Sequence, residues 1–295
     1  MHKIRLLIYL LAMSFSLVSC SNILREFAKK DTDEALLYEA KKNMNDGEWT
    51  AAIANFDSMS ASFLKKRDVV LQHAKAYAGR CGLDLLQLFE DLSSNLSSGR
   101  LYPLLMSAFT NATTTNVDDC GEAENLLISI AASADNRTSE ENTTLAFISF
   151  AKLGTIFSAF ADESTADGST DGDFNACQDN QTPGIPEAYV REVGISIAIA
   201  SVSLTAAIAE GGLSGGDELN SISSVCSALD DLSTATGLDL NFCDQTDPNS
   251  LTSEQVKAIR WTMIDNQVIG LGGATSCDLS ETALVATNCG VVCPP

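Results

Sequence analysis

Asp33-Glu34-Ala35-Leu36-Leu37-Tyr38-Glu39-Ala40-Lys41-Lys42-Asn43-Met44-Asn45-Asp46-Gly47-Glu48-Trp49-Thr50-Ala51-Ala52-Ile53-Ala54-Asn55-Phe56 is the stretch that decides the fold. Helical periodicity begins at Asp33 or Glu34, and Leu36 and Ala40, four residues apart, share one helix face. Asp46-Gly47 then gives a turn. A second helix follows, carrying Trp49, Ala52 and Phe56. Small Ala40 and Ala52 let two antiparallel helices approach closely, and the two aromatics are expected to fill the groove between them. The stretch therefore predicts an αα-hairpin.

These residues resemble a tetratricopeptide repeat, which has a small residue on its first helix, a glycine at the turn, and an aromatic, an alanine and an aromatic on its second. Asn43 stands where the family has a tyrosine. A second copy follows at the 34-residue period. Val70 answers Leu36, Ala74 answers Ala40, Tyr77 occupies the place of Asn43, and Cys81-Gly82 falls at the turn. Leu86 replaces Ala52, and Phe89 is one residue out of register. The resemblance covers residues 32–95 and implies a surface that binds partner proteins; a generic αα-hairpin is the alternative.

Further along, the pattern stays helical but loses the repeat register. Helices are expected at 101–111, 118–133 (N-cap Asp118 or Asp119), 138–162 (capped by Thr138-Ser139-Glu140-Glu141), 186–210, 216–233 and 252–270. Val193 to Ala209 carries no charge. A membrane span is one reading of it; its many small residues fit better in a helix packed on all sides. The expected fold class is all-α: TPR-like hairpins at 33–98, an acidic helical bundle or solenoid at 99–272, and a cysteine-containing tail at 273–295.

The net charge is −21, and it is uneven. Residues 20–100 are nearly neutral, whereas residues 101–295 hold 27 Asp/Glu against 5 Lys/Arg. Nucleic acid is a poor partner for such a chain, because phosphate binding needs cationic surface.

The first twenty residues carry His2, Lys3 and Arg5, then an apolar run from Leu6 to Val18, then Leu17-Val18-Ser19-Cys20. The run has the length of a signal-peptide core. Its last four residues resemble the lipobox of bacterial lipoproteins. That resemblance implies a signal peptide at 1–19, acylation of Cys20, a tether at 20–32 and a lipid bilayer as a partner. Ser21 in the following position implies the periplasmic face of the outer membrane, with surface display open. Ordinary cleavage after Cys20 is the alternative.

Eight further cysteines remain: Cys81, Cys120, Cys177, Cys226, Cys243, Cys277, Cys289 and Cys293. An even number in an exported chain predicts up to four disulfides, with about 105 possible pairings. Zinc is disfavoured, since no CxxC pair is present and His73 is the sole histidine past His2.

Within the acidic loop at 162–185, Asp167, Ser169, Asp171, Asp173 and Asn175 follow the donor spacing of an EF-hand-type calcium loop. Gly172 takes the turning position and Phe174 the apolar one. Gln178 stands where a bidentate glutamate belongs, so an acidic linker is the competing reading. No other cofactor is expected. No nucleotide-loop or zinc-protease motif occurs, and no catalytic residues are assigned. The expected role is a lipid-anchored envelope scaffold binding partner proteins, rather than an enzyme. A solute-capturing subunit of an envelope transport system is the alternative, and a hydrolase is the weakest reading.

Overall fold

A computed structural model describes residues 31–95, 100–179, 184–211, 226–227, 229–234, 237–265, 269–272 and 293. It is helical, with no strand among the described residues. Cys20 and the signal-like segment lie outside them, as do Cys277, Cys289 and most of 216–233; the described part of that last stretch is helical.

The hairpin forms as its sequence requires. Helix α1, Asp33–Asn45, is capped by Thr32, whose hydroxyl accepts from Ala35 N–H, and its acidic first turn suits the helix dipole. Gly47 turns the chain at φ +76°, a region that glycine enters without penalty. Helix α2, Trp49–Asp57, returns against α1. Ala40, Ala52 and Phe56 are fully buried in a small core of their own, with Leu36 packed at its edge.

Trp49 and Phe56 reach further than the groove they were expected to fill. A short helix α3, Ala61–Leu64, leads into α4, Arg67–Cys81. The Trp49 indole lies on the α4 backbone at Gly79, where a Cβ would stand 2.5 Å from the ring. Phe56 stacks on His73 of α4 with centroids 4.7 Å apart. Both aromatics therefore bind the hairpin to the next helix.

The second copy departs from the first. Val70 and Ala74 are buried, Tyr77 is half-buried, and Gly82 ends α4 at φ +108°. Leu86, however, is 74% exposed on α5, Leu85–Asn95, whose buried face is carried by Leu88 and Leu92. Helix α4 packs mainly against α7, Thr114–Ile130, while α5 leans on α6, Leu101–Ala108. Arg80 makes two hydrogen bonds to Asp119 at 2.6 and 2.8 Å, and the Cys81–Cys120 disulfide lies beside them. These links give α4 a partner outside the repeat register.

Helix α7 starts a turn before the expected caps Asp118 and Asp119, because Asn116 Oδ1 accepts from Thr113 N–H at 2.9 Å. Helix α8, Ser139–Ala161, has the expected capping box: Thr138 N–H donates to Glu141, and Glu141 N–H donates to Thr138 Oγ1. Helix α9, Glu187–Ala209, begins after Pro186. Both α8 and α9 are long and apolar enough to cross a membrane, but the apolar window of α8 is 94% buried inside the protein and that of α9 is 67% buried. They are the central pair of the bundle. Glycines set the crossings: a Cβ on Gly154 of α8 would stand 2.6 Å from the Leu105 carbonyl, and one on Gly194 of α9 would stand 2.2 Å from Ile259.

Ile259 belongs to α10, Ser253–Ile264. This helix ends before residue 270, because the Asp265 carboxylate takes the Ile269 N–H and turns the chain back. Two further disulfides staple the acidic half, Cys226–Cys243 and Cys177–Cys293. The cysteine tail is thereby tied to the acidic loop at Cys177.

Candidate functional site

Helices α7, α8 and α9 each bring one charged side chain to a common contact. On α7, Val117, Cys120, Glu124 and Leu127 recur at helical spacing, so Glu124 occupies a position the pattern reserves for the core. On α8, Lys152 is the only charge between Glu141 and Asp162. On α9, Glu192, Ile195 and Ile199 share a face.

Packing brings the three together. The Lys152 ammonium donates to Glu124 at 2.6 Å and to Glu192 at 2.5 Å. Ser149 Oγ donates to the other Glu124 oxygen at 2.6 Å. Lys152 and Glu124 are buried, with side chains 5% and 3% exposed, while Glu192 is 31% exposed. Burial alone would lower the Lys152 pKa; the facing carboxylates outweigh it and hold the ammonium above the ordinary lysine range. A permanent cation paired with two carboxylates is an electrostatic anchor and a poor nucleophile.

Above this triad opens a cleft of about 580 Å³ between α7, α8 and α9, closed on one side by Thr246 and Pro248. Its size is that of a small-molecule site. Val117, Ile195 and Ile199 give it apolar wall, and Asp118, Glu122 and Asn125 line it with polar groups. Tyr189 also lines it, its ring centroid 4.6 Å from that of Phe160. Burial raises the Tyr189 pKa, and the charges of Asp118 and Glu192 add to the rise.

No family model matches this chain. No curated protein and no solved structure is significantly similar to it either.

The residues expected from sequence are placed elsewhere. Asp167, Ser169, Asp171, Asp173 and Asn175 lie in the loop after α8, away from the cleft, and no group of three acidic, histidine or cysteine side chains placed to hold a metal occurs among the described residues. Oxygens of Asp167, Asp171 and Asn175 close the loop itself. Asp171 accepts from Ser164 N–H and Oγ and from Thr165; Asp167 accepts from Ser169 N–H; Asn175 accepts from Cys177 N–H. The left-handed glycine is Gly168, at φ +82°, rather than Gly172. Phe174 is buried, as its apolar position implied. Arg260 further ties this loop to α10 through the Ala176 and Gln178 carbonyls. His73 is buried between Phe56 and Tyr77, and that burial lowers its pKa.

The triad escaped the sequence reading. The available signal was a lone lysine inside an apolar helix, which must find an anion or stay out of the core.

Proposed function

We propose that this protein is a lipid-anchored binding protein of the cell envelope, which captures a small ligand in the cleft between α7, α8 and α9. The observation that carries the reading is the cleft itself: it has ligand size, and its floor is a hydrogen-bonded ion triad fixed on three long helices. Lys152 is held as an ammonium, which favours binding over nucleophilic chemistry. The lipobox-like Leu17 to Cys20 supports the anchor, and the disulfides fit an oxidising compartment. This is the solute-capturing alternative among the roles expected from sequence. The acidic charge of the same half disfavours nucleic acid as a partner.

The scaffold reading has its own support at the other end of the chain. The α1–α2 hairpin keeps the small-residue contact and glycine turn of a tetratricopeptide repeat, and it exposes Tyr38 to 65% on its surface. We read this hairpin as TPR-like and as the face for partner proteins.

Gly121 lines the cleft, and a Cβ there meets nothing within 4 Å. Gly121→Trp should therefore block the cleft while leaving the helices in place. A panel of small aromatic amines, acids and alcohols would be titrated into both proteins by ligand-observed NMR. Binding of at least one class to the parent, lost in the variant, is expected. Equal binding to both proteins, or no binding at all, contradicts the reading.

A further inference from the structure

This inference rests on the ligand-capturing reading and concerns the chemistry of the ligand. We infer that the cleft between α7, α8 and α9 takes an organic cation, a primary ammonium carried on a compact apolar body.

The cleft already holds an alkylammonium. Lys152 presents one from the floor, and Glu124 and Glu192 receive it at 2.6 and 2.5 Å. Four carboxylates, those of Asp118, Glu122, Glu124 and Glu192, line the cleft against that single ammonium. The pairing on the floor consumes one oxygen of Glu192; among the described residues, its Oε1 accepts no hydrogen bond. That oxygen belongs to the half-exposed member of the triad, which opens into the cleft.

Asp118 opens into the same space from α7. Asp118, Glu192 and Tyr189 line this same space, and both carboxylates act on the Tyr189 hydroxyl. An ammonium placed there meets carboxylate oxygens beside an aromatic side chain, and both groups attract cations. Val117, Ile195 and Ile199 would cover the body that carries the charge. An anionic ligand would face uncompensated repulsion at the same place.

A free amine and a lysine side chain of a peptide present the same group. The experiment is calorimetric titration of the oxidised protein with phenethylamine, the neutral 2-phenylethanol, the anionic phenylacetate and a Gly-Lys-Gly peptide. Phenethylamine or the peptide should bind about tenfold or more tightly than the alcohol, as a charge-assisted hydrogen bond implies, and the tighter of the two identifies the source of the ammonium. Raising salt should weaken this binding. Asp118→Asn leaves the Lys152 pairs intact and should weaken it about three- to tenfold, which reads the site without disturbing the fold. Glu192→Gln should weaken it at least as much.

Alcohol or acid binding as tightly as the amine, and lost in Gly121→Trp, would overturn the cation while leaving ligand capture standing. Failure of every probe to bind would remove both.

Discussion

The N-terminal hairpin and the acidic bundle are both helical, yet they are held together by different physics. The hairpin packs Ala40 against a small core with Phe56, Ile53 and Met59, and the stretch 20–100 in which it lies is nearly balanced in charge. Its stability comes from close apolar contact, and the buried titratable group it meets, His73 of α4, is stacked between the Phe56 and Tyr77 rings. The bundle has the larger core but places a lysine and a glutamate inside it. It also carries strongly acidic surface, with Arg67, Arg80 and Arg260 pinning its helices and loop through carboxylates and carbonyls. A core of the first kind can be assembled from local sequence alone. The second kind requires three helices to arrive together before its charges are satisfied, and the same requirement leaves a polar cleft where they meet.

The comparison breaks most sharply at Lys152. Lys152→Ala would leave Glu124 buried and charged without its cation, at a cost of about 3–5 kcal/mol. Thermal unfolding followed by circular dichroism should show a large fall in midpoint. The double replacement Lys152→Met with Glu124→Leu removes both charges and should recover most of that loss. A small effect from the single change would mean that the triad is not buried as described.

A smaller effect sharpens the other side of the comparison. Burial under the docked hairpin holds the His73 pKa below its ordinary value of 6.5, so the unfolded chain binds the proton more readily than the folded chain does. The stability from this group is fully present above about pH 6.5 and is lost as the pH falls toward the folded value. Hairpin signals in NMR should weaken on mild acidification, before those of α8 and α9. His73→Phe should remove this difference. The Glu141 carboxylate, held below its ordinary range first by its Arg67 hydrogen bonds, gives the bundle an acid sensitivity that begins at lower pH, as the pH falls through the usual glutamate range toward the depressed folded value.

What the sequence made legible follows the same division. Ala40, Gly47 and Ala52 stand within thirteen residues of one another, and local spacing sufficed to read their hairpin. The capping box at Thr138 and Glu141 was legible for the same reason. The second repeat was misleading at Leu86, because the partner of α4 is chosen by Cys81–Cys120 and Arg80–Asp119 from 39 residues away. The triad joins residues 28 and 40 apart, so no local pattern could register it. The calcium-like spacing at Asp167 to Asn175 was genuine as spacing. Backbone donors of the same loop bond to Asp167, Asp171 and Asn175, an arrangement that depends on the fold of the loop rather than on residue order.

The central claim is that the cleft above the Lys152 triad is a binding site for an ammonium. The most direct measurement is a crystal structure of the oxidised protein soaked with phenethylamine. The account predicts density for the amine in the cleft, its nitrogen within hydrogen-bond distance of Glu192 and its ring beside Tyr189, with Lys152 still paired to Glu124. A cleft that stays filled by water alone at saturating amine, or an amine bound only outside α7, α8 and α9, would contradict it.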